Sequence, residues 1–109
     1  MDVNDGGIGE LMASRTIDAV YPDGHRTTLG IQVGRPHPHP GQEGPWGCPC
    51  RIEGLDDSRV WTMFGEDSLQ ALTLATEVLR HVLTSAATTH ALTFRWGDEQ
   101  ELDVTDVLW

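Results

Sequence analysis

Apolar residues recur at every second position in several short stretches of this chain, and at every third or fourth position in one long stretch. In residues 14–21, Ile17, Ala19 and Tyr21 alternate with Thr16, Asp18 and Val20, which predicts a strand with one better-buried face. Pro22-Asp23-Gly24 follows. Proline presets φ and glycine accepts a positive φ, so the chain reverses here. Residues 25–33 then place Leu29, Ile31 and Val33 on one face, and the two strands read as a hairpin. A third strand is expected over residues 48–55, with Cys48, Cys50 and Ile52 sharing a face. Pro49 cannot donate to a ladder, so the strand should begin there at an edge or a bulge. Residues 59–64 give a fourth strand, with Val60, Thr62 and Phe64 against Trp61 and Met63.

The period changes after Glu66. Asp67 is a good N-cap, and Gln70 stands three residues on, where its side chain can reach back over the first turn. Leu69, Leu72, Ala75, Thr76, Leu79, Val82 and Leu83 follow at helical spacing, with Ala71, Leu74 and Val78 widening the stripe. The helix should fade over residues 86–89. Leu92, Phe94 and Trp96 mark a fifth strand, and Leu102 with Val104 a sixth. Between the second and third strands, residues 34–47 hold four Pro and four Gly, which excludes a helix or a central strand. Residues 1–12 read as a flexible lead-in and residues 13–109 as one domain. A run of strands, one helix and further strands implies an α+β fold. Its antiparallel sheet should have four to six strands, in the order β-β-β-β-α-β with a possible final β, and one long helix on one face.

Charge narrows the partners. Seventeen Asp and Glu oppose seven basic residues, all arginine, for a net charge of −10 over 109 residues. Direct nucleic-acid binding needs clustered positive charge, and an anionic membrane would repel this chain. A basic protein would be attracted to it. No apolar run is long enough to span a bilayer. The N-terminus lacks the basic and apolar regions of a signal peptide, so a cytoplasmic location is expected.

The segments Trp46-Gly47-Cys48-Pro49-Cys50-Arg51-Ile52-Glu53-Gly54 and Phe64-Gly65-Glu66-Asp67-Ser68-Leu69-Gln70-Ala71-Leu72, preceded by Arg15-Thr16 and Gly34-Arg35-Pro36, carry a resemblance. Over roughly residues 13–85 the chain resembles a family of short bacterial proteins catalogued as a domain of unknown function. Cys48-Pro49 fits that pattern, whereas Cys50 stands where other residues are usual. The resemblance implies no catalytic residue.

Three readings of function stay open. The first is a non-enzymatic acidic interaction module, of an inhibitor or immunity type, that binds a basic partner as a monomer or homodimer. Its surface would comprise the acids Asp98, Glu99, Glu101 and Asp103. If Val60 and Phe64 face the helix, Trp61 and Met63 are left on the open side of the sheet as anchors, unless the 34–47 loop with Trp46 covers them. The second is a ligand or metal site, in which His37, His39, Cys48 and Cys50 would hold zinc. The one-residue gaps are shorter than ordinary zinc-ligand spacing, so Pro49 would have to kink the strand. The third is an enzyme that pairs Cys48 or Cys50 with His25, His37, His39 or His81, although no spacing selects a pair and no reaction class can be named.

Overall fold

A computed structural model describes residues 8–38, 45–55, 58–96 and 100–102. These form one helix and a sheet of seven strands, all paired antiparallel, in an α+β arrangement. β1 is Leu11–Val20, β2 Arg26–Gly34, β3 His37–Pro38, β4 Trp46–Glu53, β5 Trp61–Gly65, α1 Ser68–His90, β6 Thr93–Trp96 and β7 Gln100–Leu102. The strand order is β3-β4-β2-β1-β6-β7, and β5 pairs with β4. The sheet has one strand more than the four to six expected. The extra one, β3, is a two-residue strand inside the Pro-rich segment, at the margin where proline is tolerated.

The β1–β2 hairpin closes at Pro22-Asp23-Gly24. Gly24 takes φ +93°, and its N–H donates to the Tyr21 carbonyl at 2.9 Å. The Asp23 carboxylate accepts from the His25 N–H at 3.0 Å. That bond favours the charged form and lowers the Asp23 pKa. β1 begins at Leu11, earlier than the residue-14 start read from alternation, and carries a register shift between Leu11 and Ala13. Its first two residues are exposed, Leu11 at 44 % and Met12 at 46 %.

β4 lies between β5 on one side and β2 with β3 on the other. Its ladder with β2 ends at Cys50↔Val33, and its ladder with β3 begins at Gly47↔His37. Pro49 falls in the gap between the two, where no ladder partner on that side is lost. The proline therefore sits inside the strand, not at its start, and the strand begins three residues earlier at Trp46.

The helix starts as its cap residues dictate. The Gln70 N–H donates to Asp67 Oδ1 at 2.8 Å, while Gln70 Oε1 accepts from the Glu66 N–H. The face turned to the sheet is Ala71, Ala75, Leu79 and Leu83, one residue every helical turn. It meets Cys48, Cys50, Ile52, Leu29, Ile31, Val33, Ile17, Ala19, Phe94 and Leu102 in a single core. Leu69, counted on the apolar stripe by spacing, lies away from this face and is 70 % exposed. Entry into the helix is tight. A Cβ on Gly65 would stand 2.6 Å from the Ala71 amide nitrogen, so β5 must end in glycine for the first turn to fold back on it. The helix runs to His90, slightly past the expected fade, and ends with Ala91 in the left-handed region at φ 54°, where the Leu92 N–H reaches the Ala87 carbonyl at 3.1 Å.

A left-handed alanine is strained, because its Cβ crowds the following carbonyl. Ala91→Gly should raise stability by about 1 kcal/mol, read in thermal unfolding as a rise of roughly 4–8 °C.

Candidate functional site

The two cysteines occupy neighbouring positions on the helix-facing side of β4. Both are fully buried and neither is in a disulfide. Cys48 Sγ donates to the Gly34 carbonyl at 3.5 Å and Cys50 Sγ to the Ala75 carbonyl of the helix at 3.8 Å. Burial disfavours the thiolate, pushing the Cys48 thiol up to about 11 and the Cys50 thiol, also beside Cys48, up to about 12. They act as small apolar groups in the core, and as protonated thiols they are poor nucleophiles and poor metal ligands.

His37 lies on the other side of the sheet. It pairs with Gly47, and a Cβ on Gly47 would meet Thr62 and Phe64, away from the helix. The β-sheet thus separates His37 from the cysteines. His37 is exposed, with its ring Nδ1 3.3 Å from the Arg35 carbonyl. His39 lies outside the described residues. The set proposed for zinc is not brought together in its described members, and no cluster of three or more His, Cys, Asp and Glu side chains placed to hold a metal occurs among the described residues.

Trp61 and Met63 are also placed differently from the open-face expectation. Their partners on β4 are Cys50 and Cys48, and cross-strand partners share a face. Both side chains therefore lie on the helix side, half-buried against the core. Arg59 sits over the Trp61 ring at 4.6 Å. Phe64 takes the opposite face and is 40 % exposed. The other side of the sheet is largely polar. Arg51 Nε donates to Gln32 Oε1 at 2.8 Å, and Arg51 Nη2 stands 3.4 Å from Glu53 Oε2 on the same strand. Of the acidic cluster, Glu101 is exposed on β7 opposite Arg95, while Asp98, Glu99 and Asp103 lie outside the described residues.

A different feature stands out at the end of the sheet where the helix begins. A groove of about 400 Å³ is lined by Met12 of β1, Arg35 and Pro36 after β2, Trp46 of β4, and Ser68, Leu69 and Leu72 of the helix. Its apolar lining includes two of the most exposed large hydrophobic side chains, Met12 and Leu69. Trp46, the alternative cover for an open sheet face, lies on the helix side and lines this groove. Arg35 is held at the rim by Glu10. The two side chains pair at 3.2 Å, and the Arg35 N–H donates to the Glu10 carbonyl at 2.9 Å. Glu66 and Asp67 directly precede Ser68 in sequence.

The groove was hidden in the linear pattern. Met12 falls in a stretch that reads as lead-in. Leu69 fits helical spacing until the buried Ala71–Ala75–Leu79–Leu83 row fixes which side faces in.

Arginine charge is used within the chain. Arg26 pairs with Asp18 at 3.4 Å, Arg35 with Glu10 and Arg51 with Glu53. Arg15 lies over Trp96 at 5.1 Å, Arg59 over Trp61, and Arg80 and Arg95 also make contacts within the chain. No helix among the described residues is long and apolar enough to cross a membrane.

These features define an α+β protein with one helix on an antiparallel sheet and an apolar groove at the helix N-terminus. A family model described as a domain of unknown function, DUF6968, matches residues 13–105, and the chain belongs to that family. No curated protein and no solved structure matches it.

Cysteine reactivity tests the buried assignment. Both thiols should resist a thiol-specific chromogenic reagent in the folded protein at neutral pH and react fully in denaturant. Because folding raises both pKa values above the ordinary value near 9, the stability gained by keeping the thiols neutral is full below that pH. It is lost as pH climbs toward about 11 and 12, so urea midpoints should fall across that alkaline window.

Proposed function

We propose that this protein is a non-enzymatic, acidic interaction module that binds a basic partner protein, with the groove at the helix N-terminus taking an apolar side chain of that partner. The observation that carries the reading is the groove itself. Met12, Leu69 and Leu72 meet around Trp46 at a surface where folding leaves apolar side chains exposed. An aromatic floor with flexible methionine and leucine walls is the usual setting of an interface anchor. The acids around it give the partner its sign. Glu10 pairs with Arg35 at the groove, Glu66 and Asp67 directly precede the lining Ser68 in sequence, and the chain carries a net charge of −10 with its seven arginines already counted. A one-signed surface of this kind steers a basic protein and speeds its encounter, while the apolar anchor slows its release.

An inhibitor or immunity-type role against a basic enzyme fits such a module, and so does a cytoplasmic setting. The inhibitor or immunity-type role follows from size and charge by analogy. Glu101 extends the acidic surface to the far edge of the sheet.

Affinity capture with paired baits tests the proposal. The wild-type chain should retain one basic protein at low salt and release it at high salt, because steering charges are screened. Leu69→Lys removes the groove's most exposed apolar wall and should lower retention of that same protein at least about tenfold, with an unchanged thermal midpoint. Equal retention by both baits, or a captured protein that is acidic, would refute the groove as the docking centre.

A further inference from the structure

The first six residues of β1, Leu11 to Thr16, are all exposed, and burial in this strand starts at Ile17. Local stability follows buried apolar contact, so this half of the strand opens at less cost than the domain unfolds. One wall of the groove stands on it, because Met12 is among the lining residues. Met12 is also the extra residue of a β-bulge: Leu11 pairs with Gly34 and Ala13 with Val33, two steps of β1 against one of β2. A bulge re-aims a side chain, and here Met12 is turned toward Leu69 and Leu72 of the helix.

The segment ahead of the bulge is held at the end of β2. The Arg35 N–H donates to the Glu10 carbonyl at 2.9 Å. The Arg35 and Glu10 side chains pair at 3.2 Å in contact with solvent, 69 % and 71 % exposed. Ile8 lies over Gly34, where a Cβ would collide with the Ile8 carbonyl and stand 3.3 Å from its Cγ1. Between Ile8 and Glu10, Gly9 takes φ +72°, a conformation that a side chain disfavours. Nothing lies within 4 Å of the place where its Cβ would stand, so glycine serves there for its backbone and not for space.

We infer that residues 8–12 form a strap that opens and closes while the rest of the fold stays intact, carrying the Met12 wall of the groove with it and latched by the Glu10–Arg35 pair. With the strap closed, Met12 stands with Leu69 and Leu72 and the groove is whole. With the strap open, that wall is gone. Its role in binding rests on the docking reading above: a partner seated against Met12 takes the closed form and holds it closed. The latch is an exposed ion pair, so salt loosens it from within the chain, whatever the charge of the partner.

Amide hydrogen exchange of the free 109-residue chain, read residue by residue by NMR, tests the strap. The Arg35 amide is the reporter, because its acceptor is the strap's own Glu10 carbonyl. Its protection factor should be at least about a hundredfold below that of Ala19, which is paired with a strand on either side. Glu10→Gln removes the charge of the latch and should lower Arg35 protection about two- to fivefold. Gly9→Ala changes no charge and no groove residue. It penalises the closed form through the positive φ and should lower the same protection about fivefold or more. Added salt should act on the wild-type chain as Glu10→Gln does, with no further effect on that variant. An Arg35 amide as protected as that of Ala19 overturns the inference, and so does one whose protection either variant leaves unchanged. These measurements need no partner, so they separate failure of the strap from failure of the docking reading.

Discussion

The helix lies close against the sheet because both surfaces are small where they meet. Ala71 and Ala75 form the first half of its buried face, and Cys48 and Cys50 lie beneath on β4. The contact is near enough for the Cys50 thiol to reach the Ala75 carbonyl at 3.8 Å, a weak bond that marks how closely helix backbone and strand approach. Gly65 extends the same constraint to the helix entry, where a methyl group would collide with the Ala71 amide. Further along the same buried face stand the larger Leu79 and Leu83. Small residues thus occupy the half of the face that meets the cysteines of β4, and larger ones the other half.

That seating decides which side chains are left outside. With Ala71 and Ala75 facing in, Leu69 is carried round to the outer side of the first turn, next to the start of β1 and the head of β4. The same register places Trp61 and Met63 under the helix as cross-strand partners of the cysteines. The exposed apolar groove and the buried thiols are thus two outcomes of one packing arrangement. The proposed function rests on the first, and the second accounts for cysteines that need no chemistry.

Local signals in the chain were readable wherever backbone conformation is set by a few neighbours. Pro22-Asp23-Gly24 fixed the hairpin, Asp67 and Gln70 fixed the helix start, and alternation separated Leu29, Ile31 and Val33 from their polar neighbours. What could not be read depended on pairing between distant strands. Both faces of β5 are apolar, so only its register with β4 says that Met63 and not Phe64 meets the helix. The two residues of β3 gain strand geometry from β4 alone and have no alternation of their own. Close spacing of His37 and Cys48 across a loop suggested a shared ligand, yet a sheet between them sends their side chains to opposite faces. The groove was the least visible feature, because its walls come from four separate segments of the chain.

The close seat of the helix on β4 is tested most directly by enlarging the residue at its centre. Equilibrium urea unfolding of Ala75→Leu should show a loss of about 1–3 kcal/mol, the usual cost of overpacking a filled core. Unchanged or increased stability would mean that space exists between helix and strand, and would contradict the packing from which both the buried cysteines and the exposed groove follow.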